Sequence, residues 1–400
     1  MAVFLLATLD TKGEEAAFVR SSLEKLGVQV HLIDTGCIGL PEVEADTTRE
    51  TVFEAAGTSL AKLVDYGDRG LAVTKAAEGA AFLVRQAWDA NQLQGVLGLG
   101  GSAGTTIGTT AMRGLPLGVP KVMVSTLASG QTRPYVGDKD ILMLNSVVDI
   151  AGLNCISRVI LGNAAAAMAG LVQHPRSTSQ QDRKLVAATM FGVTTPCVQQ
   201  ARELLEQAGY EVLVFHATGN GGQAMETLVR DGLIAGVLDI TTTELADELV
   251  GGVLSAGPDR LTAASDCGVP QVVSVGATDM VNFGPQDTIP EEFSQRVFYE
   301  HNPTVTLMRT TAEENRDLGI QITAKVSQAS GPAVIMLPLR GVSAIDDEGQ
   351  PFENAQARAA LFDAIRETRN GVELIEVDAH INDREFAHQA AAKLIAMMRT

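Results

Sequence analysis

The sequence has little basic charge for its length. Its 400 residues include 30 Lys or Arg and 48 Asp or Glu, which gives a formal net charge of −18 at pH 7. Proteins whose main ligand is nucleic acid carry clustered Lys and Arg that contact the phosphates. We therefore expect no nucleic-acid partner, although a single nucleotide needs only a few local hydrogen-bond donors.

Cysteine and long apolar runs are also scarce. The four cysteines lie far apart without metal-ligand spacing, which predicts free thiols in a reducing compartment. Residues 1–6 are apolar without a basic flank, which is typical of a strand and not of a signal peptide. The apolar stretch 159–172 is short and alanine-rich for a membrane span. We expect a cytoplasmic protein with no membrane partner.

Small apolar residues, by contrast, are abundant. The chain is 46% hydrophobic but only 4% aromatic, and it contains 39 glycines. Short apolar runs alternate with segments of helical periodicity along both halves, a pattern typical of parallel sheets covered by helices on both faces. The predicted fold class is α/β, with two doubly wound, Rossmann-like domains and mostly parallel sheets.

The composition of residues 174–183, which combine Pro175 with Ser, Thr and Gln, predicts a linker. It separates an N-terminal Rossmann-like domain, 1–176, from a C-terminal Rossmann-like α/β domain, 184–400. Short motifs recur in both halves, such as Gly-Val-Leu at 95–97 and at 236–238. Two related units explain this recurrence, and so does the general likeness of doubly wound domains.

A glycine-rich turn at 95–106 carries the clearest chemical signature. The apolar run that contains Val96, Leu97 and Leu99 ends in Gly100-Gly101-Ser102-Ala103-Gly104-Thr105-Thr106. Glycines let a backbone approach a ligand closely, and the unpaired amides of a helix N-terminus favour an anion. The turn is neither a P-loop nor a complete dinucleotide fingerprint. It predicts a phosphate site, while a tight turn without a ligand fits the same pattern.

Other polar residues follow strands that are expected to end at the same sheet edge. Asp10 is a candidate for magnesium or a ribose hydroxyl, and equally for a helix cap. Lys12 is a candidate for the cation that the glycine turn lacks. Three residues of the second half belong to types used in acid–base catalysis or metal binding, and structural hydrogen bonding is the alternative for each: Asp239, Asp266 and His301.

Two further patterns leave alternatives open. Residues 100–104 also satisfy Gly-x-Ser-x-Gly, the nucleophile elbow of serine hydrolases, with Ser102 as the nucleophile. A second glycine-rich turn, 215–223, precedes a predicted helix and is a further candidate anion site.

Three segments together resemble the Tm-1-like ATP-binding family, also called UPF0261. They are residues 7–14, the turn 98–110 and residues 121–130, and the similarity continues at 217–226 and 268–271. The resemblance implies a two-domain α/β architecture, ATP binding in the N-terminal domain, and self-association as a homo-oligomer.

By position, the resemblance also implies which residues line the ATP site: Thr8, Asp10, Thr11, Lys12, Gly100, Gly101, Ser102, Gly104, Thr105, Thr106, Ser129 and Gly130. We expect magnesium to accompany the ATP, with Asp10 as the candidate ligand. This sequence has Ala103 where such turns commonly carry a further glycine. The favoured function is ATP binding with the phosphates at 100–106. A nucleotide-dependent enzyme that acts on a second small molecule in a cleft between the domains fits these residues, and whether the protein turns over a substrate is left open by the sequence. A non-catalytic module gated by ATP fits the same residues, as does a serine hydrolase.

Overall fold

The computed structural model describes residues 1–174 and 183–399, apart from the side chains of residues 64–66. The chain forms two compact units, Met1–Thr178 (unit 1) and Ser179–Thr400 (unit 2). Most of the predicted linker, residues 175–182, lies outside the described residues.

Unit 1 alternates strands and helices, as the apolar runs predict. Its elements in chain order are β1 (Ala2–Ala7), α1 (Gly13–Lys25), β2 (Val30–Asp34), α2 (Arg49–Ala55), α3 (Leu60–Tyr66), α4 (Arg69–Asp89), β3 (Leu93–Gly100), α5 (Ser102–Arg113), β4 (Lys121–Ser125), α6 (Arg133–Val136), β5 (Leu142–Asn145) and α7 (Cys155–Gln173).

The five strands of unit 1 form one parallel sheet in the order β2-β1-β3-β4-β5. Side chains alternate across β1, because successive residues of a strand point to opposite faces. Val3 and Leu5 pack with residues of α1 and α7, whereas Phe4 and Leu6 pack with residues of α2, α4 and α5. Both faces are therefore buried, and the sheet is the middle of three layers.

Unit 2 continues the alternation with a longer series of elements. They are β6 (Leu185–Met190), α8 (Thr195–Gln207), β7 (Glu211–His216), α9 (Asn220–Arg230), β8 (Ile234–Thr241), α10 (Thr243–Val250), α11 (Ala263–Cys267), β9 (Gln271–Gly276), β10 (Met280–Phe283), β11 (Phe298–Asn302), β12 (Val305–Arg309), α12 (Ala312–Val326), β13 (Ala333–Pro338), α13 (Ala355–Thr368), β14 (Glu373–Val377) and α14 (Arg384–Met397), with single turns of 3-10 helix at Gly192–Thr194, Gln286–Thr288 and Glu291–Phe293.

Six of these strands form a parallel sheet in the order β14-β13-β9-β8-β6-β7. The other three, β10, β12 and β11, form a small antiparallel sheet. The apolar run at 305–308 therefore belongs to an antiparallel insertion and not to the parallel sheet that its periodicity suggests. Two mostly parallel sheets flanked by helices confirm the predicted α/β, Rossmann-like fold class.

The two parallel sheets share their strand order and one irregularity. Counted from its own first strand, each sheet begins with the order 2-1-3-4-5. The pairing of the first and third strands slips by one residue before Gly95 in unit 1 and before Gly236 in unit 2. The next amide donates to the proline carbonyl before the fourth strand in both, from Val96 at 2.8 Å and from Val237 at 2.9 Å. The recurrence of the short motifs is thus a recurrence of local structure.

Helix α7 extends beyond the apolar stretch 159–172 at both ends, and its length and composition alone would allow it to cross a membrane. The expectation that the stretch 159–172 is too short is therefore wrong. Its Leu161, Ala164 and Met168 are buried against unit 1's sheet. The core helix of a folded α/β unit meets the same criterion, and that is how α7 is used here.

Candidate functional site

A cavity of about 220 Å³ opens at the carboxyl ends of β1 and β3. In a sheet of order 2-1-3-4-5 this is the point at which the strand order reverses, the position where doubly wound proteins bind ligands. The residues that line the cavity come from the loops after both strands, from the loop after β2, from α4 and α5, and from the segment before α7: Thr8, Asp10, Thr11, Lys12, Cys37, Ile38, Arg69, Val73, Gly101, Ser102, Ala103, Gly104, Ile107 and Asp149.

The glycine turn forms one wall of this cavity, and the positions in the turn differ in whether packing requires glycine. A Cβ at Gly100 would lie 2.8 Å from the Cα of Gly104, and a Cβ at Gly104 would lie 3.0 Å from the carbonyl oxygen of Leu99. Both positions therefore need glycine so that α5 can pack on the end of β3. At Gly101 the nearest atom to an added Cβ is Thr126 Oγ1, at 3.7 Å. Gly101 and Gly104 both line the cavity, and of these two Gly101 is the position where protein packing does not demand glycine.

The N-terminus of α5 is left open toward the cavity. The first amides of a helix have no partner within it, and the N-cap residue, Gly101, supplies no side-chain hydrogen bond to them. Among the described helices, side chains cap α4, α7, α12 and α13, and α5 is one of several helices without such a cap. An uncapped helix N-terminus presents unpaired N–H groups and partial positive charge, which suit an anion.

Two cationic side chains, Lys12 and Arg69, face the same cavity. Lys12 precedes α1 and its Nζ donates a 3.2 Å hydrogen bond to the carbonyl oxygen of Thr11. Arg69 is the first residue of α4, and within residues 1–174 and 183–399 its guanidinium has no hydrogen bond or ion pair. Both cations are available to a ligand, and the sequence prediction included only Lys12.

Asp10 lines the cavity, but its carboxylate already holds the neighbouring loop. Its Oδ2 accepts from the amides of Ile38, at 2.9 Å, and Gly39, at 3.1 Å, and lies 3.7 Å from Arg49 Nη1. Arg49 is buried and donates from Nε to Asp34 Oδ2 at 2.6 Å and from Nη1 to the carbonyl of Gly39. These contacts make Asp10 a support of the cavity wall.

Cys37 and Asp149 are the remaining titratable residues that line the cavity. Burial raises the pKa of the Cys37 thiol, and the carboxylate of Asp10 adds to this while Arg69 opposes it, so the thiolate is disfavoured. Asp149 is exposed and has no hydrogen bond or ion pair in the part of the chain that the structure describes. Of the two carboxylates in the cavity lining, it is the uncommitted one.

The cavity brings together seven of the twelve residues predicted to contact ATP. Five lie outside its lining: Gly100, Thr105, Thr106, Ser129 and Gly130. The Thr105 hydroxyl is buried on Ser125 Oγ at 2.7 Å, and Thr106 Oγ1 donates to the Ser102 carbonyl at 3.0 Å. Ser129 and Gly130 are exposed on the loop after β4. The N-cap Asp68 just before Arg69 is the sequence signal that could have located the additional cation.

The geometry of Ser102 does not favour the hydrolase alternative. A nucleophile elbow places its serine on a strained strand-to-helix turn, but Ser102 is the first residue of α5 and is not among the residues with positive φ. No histidine is found among the residues that line the cavity within the described chain. Among the described residues of this cavity, Ser102 therefore lacks the histidine partner that a serine hydrolase triad requires.

The candidates in unit 2 do not form a common site. Asp239 is fully buried, where its carboxylate accepts from both terminal nitrogens of Arg260, at 2.6 and 2.7 Å, and from Thr189 Oγ1 at 2.7 Å. Asp266 is exposed on α11, and His301 is exposed on the edge strand β11. No hydrogen bond or ion pair joins any two of the three within the described residues, which also contain no group of three metal-ligating side chains.

The second glycine-rich turn is filled by the protein's own carboxylate. Glu244 Oε1 accepts from the amides of Gly219, at 2.7 Å, and Gly222, at 3.1 Å, while its Oε2 accepts from Arg260 Nε at 2.7 Å. Burial raises the pKa of Glu244, and Arg260 opposes this shift. The anion that the turn 215–223 attracts is therefore an internal side chain.

The crevice at the strand-reversal point of unit 2 is filled by buried side chains, whereas the equivalent crevice of unit 1 is open. The residues that follow its third strand, Thr242, Thr243 and Glu244, are all fully buried, as is Thr241 at the strand end. Thr241 Oγ1 lies 2.8 Å from Thr194 Oγ1 of the loop after the first strand. Within residues 1–174 and 183–399, the strand-reversal point of unit 1 is lined as a cavity with unpaired amides and cations, whereas the equivalent point of unit 2 is filled by these buried side chains.

Comparison with known proteins matches both halves of the chain to one family. The models described as "Uncharacterised protein family (UPF0261)" N-terminal and C-terminal domain match residues 1–177 and 183–398. A UPF0261 protein of Clostridium tetani is 52% identical over 99% of this chain and 98% of its own length. The ToMV resistance protein Tm-1 of Solanum lycopersicum is 44% identical over 96% of this chain and 54% of its own length.

Among solved structures, a UDP-N-acetylglucosamine 2-epimerase covers 97% of this chain and 94% of its own, with 10% identity and a TM-score of 0.22. That score is too low to carry an argument, and the family assignment depends on sequence alone. With both domain models matched across nearly the whole chain, the protein belongs to the UPF0261 family.

Proposed function

We propose that unit 1 binds a nucleoside triphosphate, ATP, with its phosphates in the cavity between the glycine turn, Lys12 and Arg69. The observation that carries the proposal is the open N-terminus of α5, which no side chain caps and which lines the same cavity as both cations. Backbone amides and two cations together supply the donors that a polyphosphate requires.

The contrast between the two units supports this assignment. Unit 2 has the same strand order, but its buried threonines and Glu244 fill the corresponding crevice. A turn that is open in one unit and filled in the other supports the proposal that the opening serves a ligand. The proposal for ATP in particular is supported by the family resemblance of residues 7–14 and 98–110.

Magnesium that accompanies the nucleotide fits Asp149 better than Asp10. Mg²⁺ in nucleotide sites is held by one or two carboxylates together with phosphate oxygens. The Asp10 carboxylate is occupied by two amides and a nearby arginine, whereas Asp149 is exposed without a partner among the described residues. Bound magnesium would neutralise part of the phosphate charge, and Asp149 would be its protein ligand.

Isothermal titration of the full chain with ATP and magnesium tests the proposal. We expect Lys12→Gln and Arg69→Gln each to weaken binding about 5- to 30-fold, the loss of one charge-assisted contact of about 1–2 kcal/mol. Lys25→Gln is the matched control, because Lys25 is exposed at the opposite end of α1 and removes the same charge. Wild-type affinity in both variants, or no heat of binding to the wild type, would refute the proposal.

A further inference from the structure

An apolar chamber of about 220 Å³ lies beside the polar cavity of unit 1. It is lined by residues from the loop after β2, from α3 and from the start of α4: Cys37, Ile38, Leu63, Gly67, Asp68, Arg69 and Ala72. Cys37, Ile38 and Arg69 line both spaces. The two are therefore adjoining parts of one site, and a single ligand can occupy both.

The chamber differs from its neighbour in chemistry. Leu63 and Ala72 are buried and form an apolar floor, whereas Ile38 leaves 69% of its surface exposed at the mouth. Of the two charged residues in the lining, Asp68 uses Oδ1 to accept from the amide of Leu71 as the N-cap of α4. Arg69 contributes a planar guanidinium, which packs well on flat rings. Such a space suits an uncharged, planar, largely apolar group.

We propose that this chamber holds the purine base of the nucleotide, with Arg69 between base and phosphates. The inference rests on the proposed function, because it uses a ligand whose phosphates lie at the glycine turn. A purine joined to a polyphosphate has the same division into a flat apolar part and an anionic part as the two adjoining spaces. The base is held by burial on Leu63, Ala72 and Ile38.

The test compares ATP with inorganic tripolyphosphate, which has the phosphates but no base. For the wild-type chain we expect ATP to bind about tenfold more tightly or better, since burial of apolar area equal to about two methylene groups gives this factor. The ratio of the two affinities measures the contribution of the base and is independent of changes at the phosphate cavity.

Two variants should reduce that ratio to within about threefold of one, because about one tenfold factor is removed. Ala72→Leu fills the chamber from α4, and Ile38→Ser removes an exposed apolar contact at the mouth without disturbing a buried side chain. Leu40→Ser is the matched control, since Leu40 is 89% exposed in the same loop and lies outside the chamber lining. Trp88, the single tryptophan, lies in α4 and reports by fluorescence whether each variant keeps unit 1 folded.

The outcomes separate this inference from the proposed function. If the wild type binds ATP and tripolyphosphate equally, or if Ile38→Ser and Ala72→Leu leave the ratio unchanged, the chamber does not hold the base while the phosphate site stands. If the wild type binds neither compound, the proposed function fails and the inference fails with it. A ratio that falls in both variants but not in Leu40→Ser supports the inference.

Discussion

Substituting Gly101 by alanine should separate ligand binding from folding at the glycine turn. Gly101 has φ −80° and ψ −152°, which alanine can adopt, and the nearest atom to the new methyl would be 3.7 Å away. Alanine lowers the entropy of the unfolded chain but is a poorer N-cap than glycine. These effects oppose each other at about 0.5–1 kcal/mol each. We expect the melting temperature of unit 1 to change by no more than about 3 °C.

Binding should change much more than folding, because the methyl takes space in the cavity in front of the open amides. Loss of one hydrogen bond to a charged phosphate costs about 1.5–3 kcal/mol, so ATP affinity should fall about 10- to 150-fold. Gly100→Ala is the contrasting variant, since its Cβ would lie 2.8 Å from the Cα of Gly104. Overpacking of about 1–3 kcal/mol there should lower the melting temperature by about 3–10 °C.

The measurements are calorimetric titration with ATP and thermal unfolding followed by the fluorescence of Trp88, which lies in unit 1. The result that would refute the reasoning is a Gly101→Ala variant with wild-type melting and wild-type affinity. The amides of the turn would then not contact the phosphates, and the cations alone would have to account for any binding.

Three further outcomes are expected. Ser102→Ala should weaken ATP binding by no more than about tenfold, because it removes one exposed hydroxyl donor, about 1.5 kcal/mol for a hydrogen bond to a charged group, and leaves the backbone amides in place. Any ester hydrolysis by the wild type that this variant abolishes would revive the hydrolase alternative. Arg260→Met should destabilise unit 2 by about 3–5 kcal/mol. The loss should be greater at pH 8 than at pH 5, because burial raises the pKa of Glu244 and Arg260 opposes that shift, and a protein that contains a carboxyl group of raised pKa loses folding stability as the pH rises. Urea unfolding with hydrogen exchange of unit 2 peptides measures both effects. Burial raises the pKa of Asp247 from 3.8 to about 7. Its contribution to the free energy of unfolding is therefore complete below about pH 4 and is lost toward pH 7, by up to about 1.4 kcal/mol per pH unit. Asp247→Asn should remove this pH dependence in urea titrations, and an unchanged pH dependence would exclude Asp247 as its source.

The parallel sheets could be predicted from sequence because their strands are buried on both faces. Apolar runs such as 95–99 and 333–337 lie within β3 and β13, and the glycines that end the intervening helices mark the boundaries. The antiparallel insertion could not be predicted in the same way. Its edge strand, β11, includes Glu300 and His301 and is largely exposed, so no apolar pattern distinguishes it from a loop.

Half of the site could be predicted for a similar reason. The loops after β1 and β3 meet because adjacent parallel strands end at one edge, and this places Lys12 beside Gly101. The commitment of Asp10 depends on two amides and an arginine that lie 28 to 39 positions farther along the chain, and the closing of the second turn depends on Glu244, 22 and 25 positions from the amides it accepts. Such long-range partners leave no mark in local sequence.

The slip in strand pairing that occurs at both Gly95 and Gly236 allows positions in unit 1 to be aligned with positions in unit 2. Counted from this slip, the third strands end at Gly100 and Thr241 and the next helices begin at Ser102 and Thr243, so Ala103 corresponds to Glu244. Grafting the threonine–glutamate segment onto the glycine turn, or the reverse, exchanges the two crevices on frames of the same strand order. One polypeptide thus contains two versions of a single architecture, one accessible and one sealed by its own side chains.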